Sequence, residues 1–192
     1  MNDNLDEKQR GIERFILLVL GAFDRKISML HLEKEVFLLW NFHPIVKNNF
    51  NFIQHYRGPF SREIQEIIRD PIYLENCWKY TPPQMHDILS GGFVELTDKG
   101  RKEYKKLIEK IKSNADLRHL NAAIKMVREL YDKLSAEELL LLIYDTYPQY
   151  TVKSSVYNTI KRKKLELSKK LSEKKLIDKE RFKSLLMGSV YD

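Results

Sequence analysis

The chain has 192 residues, of which 43% are hydrophobic and 32% are charged, and its formal net charge is +7. This composition suits a folded globular protein and excludes a disordered one, while only seven glycines and six prolines argue against an all-β fold. The single cysteine, Cys77, excludes an intrachain disulfide and is typical of a reducing compartment, where we expect it as a packed thiol. The first residues are polar, and no apolar run approaches the roughly 20 residues of a membrane helix. We therefore expect a cytoplasmic protein with no signal peptide and no membrane partner.

The apolar spacing in the first fifty residues predicts two helices. We predict helices over 12–23 and 27–40, a loop over 41–52 and a short strand over 52–56. Ser28 is a candidate cap for the second helix, because its hydroxyl can accept a hydrogen bond from a first-turn amide. The charged residues 33–35 fall between the apolar positions of that helix.

The pair Gly58-Pro59 predicts a rigid corner. Glycine adopts backbone angles that other residues resist, and proline fixes its own φ near −65°. A helix over 61–69 should follow, with Ser61 as its N-cap and an isoleucine stripe on its packed side. The polar residues that lie off this stripe are predicted to face outward: Arg62, Gln65, Glu66 and Arg69.

The rest of the chain is predicted to be helical apart from one strand. The elements are a short helix over 84–89, a strand over 93–96, and helices over 98–111, 116–134, 137–147 and 156–175, with a last short helix after Asp178. Thr97 caps the helix that follows the strand, and Ser135 with Glu138 forms a capping box. The helix over 156–175 has thin apolar content, so only a narrow edge of it can pack.

Positive charge is concentrated near the C-terminus. Residues 151–183 hold twelve Lys or Arg and four Asp or Glu, whereas residues 1–150 hold 22 of each sign. A local excess of this kind is typical of a surface that binds a polyanion. The alternative interpretation is a solvated basic helix.

The order of these elements resembles a winged-helix domain, closed by a strand that ends in LTDKG (96–100) and leads into a charged helix. Three further stretches are similar to the prokaryotic YwgA-like family, a relative of the Panacea (SocA-like) antitoxin domains: LHLEKEVFLLW (30–40), YRGPFSREI (56–64) and LSAEELLLLIYDTYPQYTVKS (134–154). With LTDKG, they span about residues 11–154. The resemblance implies a winged helix with a helical C-terminal addition, no established catalytic activity, and a role in gene regulation or toxin–antitoxin control.

We therefore predict a mainly α fold, a winged helix-turn-helix domain with a small β-ribbon and a helical C-terminal extension. The predicted divisions are a flexible N-terminal tail (1–10), the winged-helix domain (11–113), a helical extension packed on it (114–154) and a basic helical C-terminal segment (155–192).

Double-stranded DNA is the predicted partner, bound by a homodimer. Arginine and glutamine on a helix in the major groove can read guanine and adenine edges, while other cations meet phosphates. The candidate DNA-binding residues are Arg57, Arg62, Gln65, Arg69, Lys99, Arg101, Lys161, Arg162, Lys163 and Lys164. The alternative for the helix over 61–69 is that Arg62 and Glu66 form an i,i+4 surface pair and the helix only packs.

Catalytic patterns are weak in this sequence. The five histidines are scattered, and none is paired with another His or a Cys at metal-ligand spacing. Gly91-Gly92 lacks the lysine and helix start of a phosphate-binding loop, and Tyr144, Tyr147 and Tyr150 are interpreted as packing and turn residues. We predict no enzyme, no cofactor and no metal. The main hypothesis is a DNA-binding regulator. The alternatives are an antitoxin or adaptor that grips a partner toxin, and a nucleic-acid-binding subunit of a defence complex.

Overall fold

A computed structural model describes residues 2–187 of the chain. Its helices are α1 (Asn2–Gly21), α2 (Met29–Phe42), α3 (Pro44–Lys47), α4 (Arg62–Arg69), α5 (Asp98–Ile111), α6 (Ala115–Tyr131), α7 (Ala136–Thr146), α8 (Tyr157–Arg162), α9 (Lys164–Glu173) and α10 (Lys179–Met187). Its strands are β1 (Ile27–Ser28), β2 (Ile53–His55), β3 (Gly58–Phe60), β4 (Trp78–Thr81) and β5 (Phe93–Leu96). The predicted mainly helical fold with a small antiparallel sheet is confirmed.

The described chain divides into two compact units. The first unit comprises residues 2–52 and 61–132, and the second comprises residues 53–60 and 133–187. This division differs from the predicted one in two places, since part of the expected helical extension lies in the first unit and a short internal segment lies in the second.

The first unit is built around a three-stranded antiparallel sheet in the order β1-β5-β4. Helices α1, α2, α4 and α6 bury apolar faces in one core with this sheet; among its most buried residues are Ile16, Val36, Ile64, Val94 and Ile124. Helix α1 begins at Asn2, so residues 2–10, predicted to be a flexible tail, are helical. Glu7, Lys8, Gln9 and Arg10 are all good helix formers, which explains why the helix of 12–23 extends backwards.

Helix α2 confirms its predicted cap and buries charged side chains as well as apolar ones. The Ser28 hydroxyl accepts a hydrogen bond from the His31 amide at 3.1 Å. Glu33, Lys34 and Glu35, which lie between the apolar positions, are only 9%, 1% and 0% exposed. The helix is enclosed on more than one side, and its acids find partners inside the fold.

Two other predictions of the first unit need correction. The predicted helix over 84–89 is reduced to a single 3₁₀ turn at Ile88–Ser90, ended by Gly91 in the left-handed region with φ 72°. Ser61 occupies the N-cap position of α4 but makes no capping bond. Its hydroxyl donates instead to the Glu63 carboxylate at 2.6 Å.

The second unit contains the hairpin β2–β3, in which His55 pairs with Gly58 across a two-residue turn. Gly58 and Pro59, which were predicted to form a rigid corner, therefore lie in the second strand of a hairpin. Gly58 has φ 83°, and a Cβ there would lie 3.0 Å from the Tyr144 ring on α7, so both backbone angle and space require glycine. The Ser155 amide donates to the Tyr56 carbonyl at 3.0 Å and ties the hairpin to the turn after α7.

The basic C-terminal stretch belongs to the core of the second unit. It forms two helices, α8 and α9, which meet at Lys163 rather than forming the single helix expected. Its narrow apolar edge is buried as predicted, through Ile160, Leu167 and Leu171. The capping box of Ser135 and Glu138 at the start of α7 is confirmed. Residues 188–192 of the predicted basic segment lie outside the described residues.

Candidate nucleic-acid interface

Helix α4 buries one face and exposes the other. Its isoleucines Ile64, Ile67 and Ile68 are buried, and the Trp78 indole of β4 donates to the Ile68 carbonyl at 3.1 Å. The opposite face carries the residues expected to read DNA, with Arg62 and Arg69 exposed and Gln65 half-buried. The predicted direction of all three side chains is therefore consistent with the structure.

The two arginines of α4 differ in their surroundings. Arg62 makes no hydrogen bond or ion pair with any residue that the structure describes, so the i,i+4 pair with Glu66 is not formed there. The Arg69 guanidinium lies 5.9 Å from the centre of the Tyr80 ring, a loose cation–π contact. Both charges can therefore reach an external anion without breaking an ion pair.

The start of α4 is tied to the residues before it through Glu63. Its carboxylate accepts hydrogen bonds from the Ser61 hydroxyl at 2.6 Å and from the Asn51 amide at 3.0 Å. Burial disfavours the charged form, but these hydrogen bonds outweigh it and lower the pKa of Glu63. The charged carboxylate also lies in the first turn, where the helix dipole favours it.

The segment after α4 is held by a buried acid of α1. The Glu13 carboxylate accepts hydrogen bonds from three consecutive amides, those of Ile72 at 2.9 Å and of Tyr73 and Leu74 at 2.8 Å. Glu13 is fully buried, so these bonds replace the water that a carboxylate otherwise requires. The role of Glu13 could not be predicted from the sequence, because its amide partners lie about sixty positions further along the chain.

The candidate cations of α5 are engaged within the first unit. The Arg101 Nε donates to both oxygens of Asp24, at 2.8 and 3.0 Å, and its Nη1 donates to Asp98 at 3.1 Å. These acids, chiefly Asp24, raise the pKa of Arg101. The Lys99 ammonium donates to the Glu75 carbonyl at 2.7 Å. The charge of Arg101 is therefore balanced by two acids, whereas the Lys99 ammonium retains further N–H donors that could contact a phosphate.

Close packing explains why a glycine, Gly100, occupies the last position of the LTDKG stretch. A Cβ at Gly100 would overlap the carbonyl oxygen of Cys77, so α5 starts in direct contact with the backbone before β4. Thr97 accepts from the Gly100 amide at 3.1 Å and donates to the Asn76 carbonyl at 2.6 Å. The predicted cap is thus confirmed. Cys77 is buried, and burial raises the pKa of its thiol, as expected for a packed cysteine.

The loop between β4 and β5 contains no lysine or arginine over residues 82–92. It exposes apolar side chains instead, since Met85 is 95% exposed and Ile88 is 60% exposed. A surface of this composition suits contact with another protein better than contact with phosphates.

The remaining candidate cations lie in the second unit. Lys161 and Arg162 are exposed at the end of α8, and neither forms an ion pair with a described residue. Lys163 donates to both oxygens of Glu137, at 2.8 and 3.1 Å, and Lys164 is half-buried. The Arg57 guanidinium lies 4.8 Å from the Tyr56 ring centre and donates to the hydroxyl of that residue at 3.1 Å.

The first unit contains a buried ionic cluster that was not predicted from the sequence. The fully buried Arg128 of α6 donates through Nη1 to Glu35 at 3.1 Å and also pairs with Asp132 at 3.2 Å, while Arg25 pairs with Asp132 from the other side. Burial raises the pKa of Glu35 to about 7, although Arg128 opposes that rise. The burial of Glu35 could have been inferred from its spacing in the helix. It lies three residues after Leu32 and four before Leu39, which places it on the apolar stripe.

The comparisons with known proteins add no family. No model of a known protein family matches the chain, and no curated protein matches it either. Within residues 2–187, no cluster of three His, Cys, Asp or Glu is arranged to hold a metal ion. No helix in the described part of the chain has both the length and the apolar character needed to cross a bilayer.

Proposed function

We propose that the chain is a non-enzymatic, cytoplasmic winged-helix protein that binds duplex DNA as a regulator. The observation that carries this proposal is the outward face of α4, which presents Arg62, Gln65 and Arg69 on a helix with a fully buried back. Arginine pairs well with guanine, and glutamine pairs well with adenine. The rigid attachment of α4 by Glu63 and Trp78 suits a helix that must enter a groove in one orientation.

The element order of the first unit supports the proposal. Helix α1, strand β1, helices α2 and α4, and then β4 and β5 follow the order of a winged helix, with α4 in the place of the recognition helix. The sheet order β1-β5-β4 also suits that fold, in which the last two strands form the wing. The resemblance to the YwgA-like and Panacea families, based on residues 30–40, 56–64, 96–100 and 134–154, points the same way.

A salt titration with matched variants tests the proposal. Binding to a duplex of random sequence is measured by fluorescence anisotropy at about 50 and 200 mM salt, because counterion release makes phosphate contacts steeply salt-dependent. The variant Arg62→Gln/Arg69→Gln should bind about tenfold more weakly and show a salt slope lower by about 2. The control Lys105→Gln/Lys125→Gln removes the same charge from exposed positions of α5 and α6.

The titration can either support or contradict DNA binding by α4. A loss confined to the α4 variant supports groove binding by α4. Equal losses in the two variants would mean non-specific attraction by net charge, and no binding of the wild type at low salt would end the proposal.

We also propose that the regulator acts as a homodimer. Two copies of one eight-residue helix would read two half-sites about 34 Å apart, which a single short helix cannot do. Light scattering on the eluted DNA complex measures the protein stoichiometry. A single protein per duplex at saturation would contradict this.

The second unit offers a further cationic contact on α8, in Lys161 and Arg162. Deleting residues 155–192 is not a usable test, because Ile160, Leu167 and Leu171 belong to the core. The variant Lys161→Gln/Arg162→Gln keeps that core and should weaken DNA or RNA binding if the unit contacts nucleic acid. Unchanged affinity for both would exclude these two residues from the interface.

An antitoxin or adaptor function is favoured by a different observation, the loop over 82–92, which has no lysine or arginine and exposes Met85 and Ile88. A toxin is often encoded beside its antitoxin, so the product of the neighbouring gene is the partner to test. Co-purification that is lost in Met85→Ser/Ile88→Ser, with DNA binding absent in the wild type, would support this function over the first.

A further inference from the structure

An apolar pocket of about 360 Å³ opens on the first unit between α1, α3, α5 and α6. Its floor consists of buried side chains, among them Phe15, Leu18, Phe50 and Leu120. The Phe15 and Phe50 rings pack at 5.2 Å with a 56° tilt, which gives one wall a rigid aromatic surface. The volume lies at the lower end of the range for small-molecule sites.

Cations stand at the rim of this pocket. Arg14 of α1 and Lys110 of α5 line it, and both also line an adjacent pocket that contains Arg10 and Lys106. Neither the Arg14 nor the Lys110 side chain forms a hydrogen bond or ion pair with a residue in the described part of the chain. Among the described residues, Glu103 is the one acid that lines the two pockets, and it pairs with Lys106 at 2.7 Å. The rim is therefore a positive edge beside an apolar cavity.

Gly11 provides a third and independent observation. It lies on the exposed side of α1 and lines the pocket, and a Cβ built on it would meet nothing within 4 Å. Glycine inside a helix is less stable than alanine by about 1 kcal/mol, but it permits a close approach of another group to the helix backbone. No described residue of this fold makes such an approach, and the open space over Gly11 belongs to the pocket.

From these three observations we propose that the pocket binds a small amphiphile with an apolar body and a single carboxylate head. The apolar chain lies on Phe15, Leu18 and Phe50, and the carboxylate meets Arg14 and Lys110 at the rim. Unpaired cations beside an apolar cavity favour an anionic ligand over a neutral one, because a carboxylate gains charge-assisted hydrogen bonds there. This site is separate from the α4 face, so the inference does not depend on DNA binding.

The probe is decanoate, with decanol as its uncharged counterpart, both kept below the concentration at which they aggregate. Binding to the full chain without DNA is measured by calorimetry and by the shift in melting temperature. Decanoate should bind and raise the melting temperature, and decanol should bind at least about fivefold more weakly. Arg14→Gln/Lys110→Gln should remove this preference for decanoate while leaving the affinity for decanol unchanged.

Gly11→Trp is the blocking variant and Gly11→Ala is its control. Both replace a helical glycine with a better helix former, so neither is expected to unfold α1. The tryptophan side chain should fill the cavity and reduce decanoate affinity by at least about tenfold, whereas alanine should leave it unchanged.

Three results would overturn the inference. The first is equal affinity of the wild type for decanoate and decanol, and the second is no binding of decanoate by the wild type. The third is a change in oligomeric state, seen by light scattering, that follows Gly11→Trp but not Gly11→Ala. That last result would make the pocket a contact between copies of the chain.

Discussion

Glu35 in the first unit and Glu138 in the second are both buried glutamates on helices, at 0% and 1% exposure. The protein nevertheless shifts their pKa values in opposite directions. Burial raises the pKa of Glu35 to about 7. At Glu138 burial acts in the same direction, but hydrogen bonds from Lys174 and from the Ser135 backbone outweigh it and lower the pKa. Burial alone therefore does not determine the charge of these residues.

The difference lies in the donors that each carboxylate receives. One Glu138 oxygen accepts from the Ser135 amide at 2.6 Å and from the Lys174 ammonium at 2.7 Å, and that lysine remains 39% exposed. Glu35 receives one hydrogen bond from Arg128, which is itself fully buried. One oxygen of Glu35 and two nitrogens of Arg128 have no hydrogen-bond partner. A cation that keeps contact with water stabilises a buried acid more effectively than one that must also be desolvated.

The largest expected effect comes from removing Arg128. Arg128→Met leaves Glu35 buried without its cation, and the free energy of unfolding of the first unit should fall by about 3–5 kcal/mol. Both tryptophans, Trp40 and Trp78, belong to this unit, so urea denaturation followed by their fluorescence reports on it. The control Lys125→Met, at an exposed site of the same helix, should change stability by less than about 0.5 kcal/mol. A loss below 1 kcal/mol in Arg128→Met would contradict the role of this pair.

The next largest effect is a pH dependence of the free energy of unfolding that is caused by Glu35. Its direction is opposite to that of a carboxylate whose pKa is lowered by folding. A folded-state pKa near 7 means that the folded protein retains a proton on Glu35 that the unfolded chain loses near 4.5. This contribution to stability is fully present below pH 4.5 and is lost as the pH rises to about 7, and it is on the order of 3 kcal/mol. Denaturation of the wild type and of Glu35→Gln at pH 5 and pH 8 measures it. The variant should lose most of this difference, and an unchanged difference in Glu35→Gln would assign it to other groups.

A smaller effect is expected from Lys174→Met in the second unit. Glu138 keeps its bond from Ser135 but loses its cation, so the unit should be destabilised by about 1.5 kcal/mol. Because the pKa of Glu138 is lowered in the folded state, its contribution is present above pH 4.5 and is lost as the pH falls through the folded pKa. Amide exchange of α7 at pH 7 and pH 4 measures both effects, with the exposed Lys169→Met as control. Equal exchange in the two variants would show that Lys174 does not stabilise Glu138.

The smallest effect concerns the surface pair of Lys163 and Glu137 in the second unit. Both side chains are partly exposed, so Lys163→Gln should cost no more than about 0.5 kcal/mol, and this cost should vanish near 1 M salt. Amide exchange of α8 at low and high salt tests this. A salt-independent loss would show that the pair is effectively buried, as the pair of Glu35 and Arg128 is.

Local signals predicted the helices well. Ser28, Thr97 and the pair of Ser135 and Glu138 marked helix starts correctly, because capping depends on residues within one turn. The buried edge of the basic helices was also predictable from its spacing. The hairpin containing Gly58 was missed, because a strand is defined by its partner and not by its own residues.

In the candidate site too, local features were predicted and long-range pairings were not. The outward face of α4 followed from the isoleucine stripe of that helix. Arg101 and Lys163 were predicted to contact DNA, and each is paired within the protein with an acid that is distant in the sequence, Asp24 or Glu137. The Glu35–Arg128 pair was not predicted for the same reason, since 93 positions separate its members. Pairings of this kind depend on tertiary structure, and periodicity carries no information about them.

The three amides held by Glu13 have a consequence for recognition. They fix the backbone of Ile72, Tyr73 and Leu74 immediately beyond α4, so that helix is anchored on both sides before any ligand arrives. A helix that is already ordered loses little conformational entropy on association. Under the proposed function, DNA binding through α4 should therefore proceed as a rigid-body encounter, with rates governed by diffusion and charge rather than by a folding step.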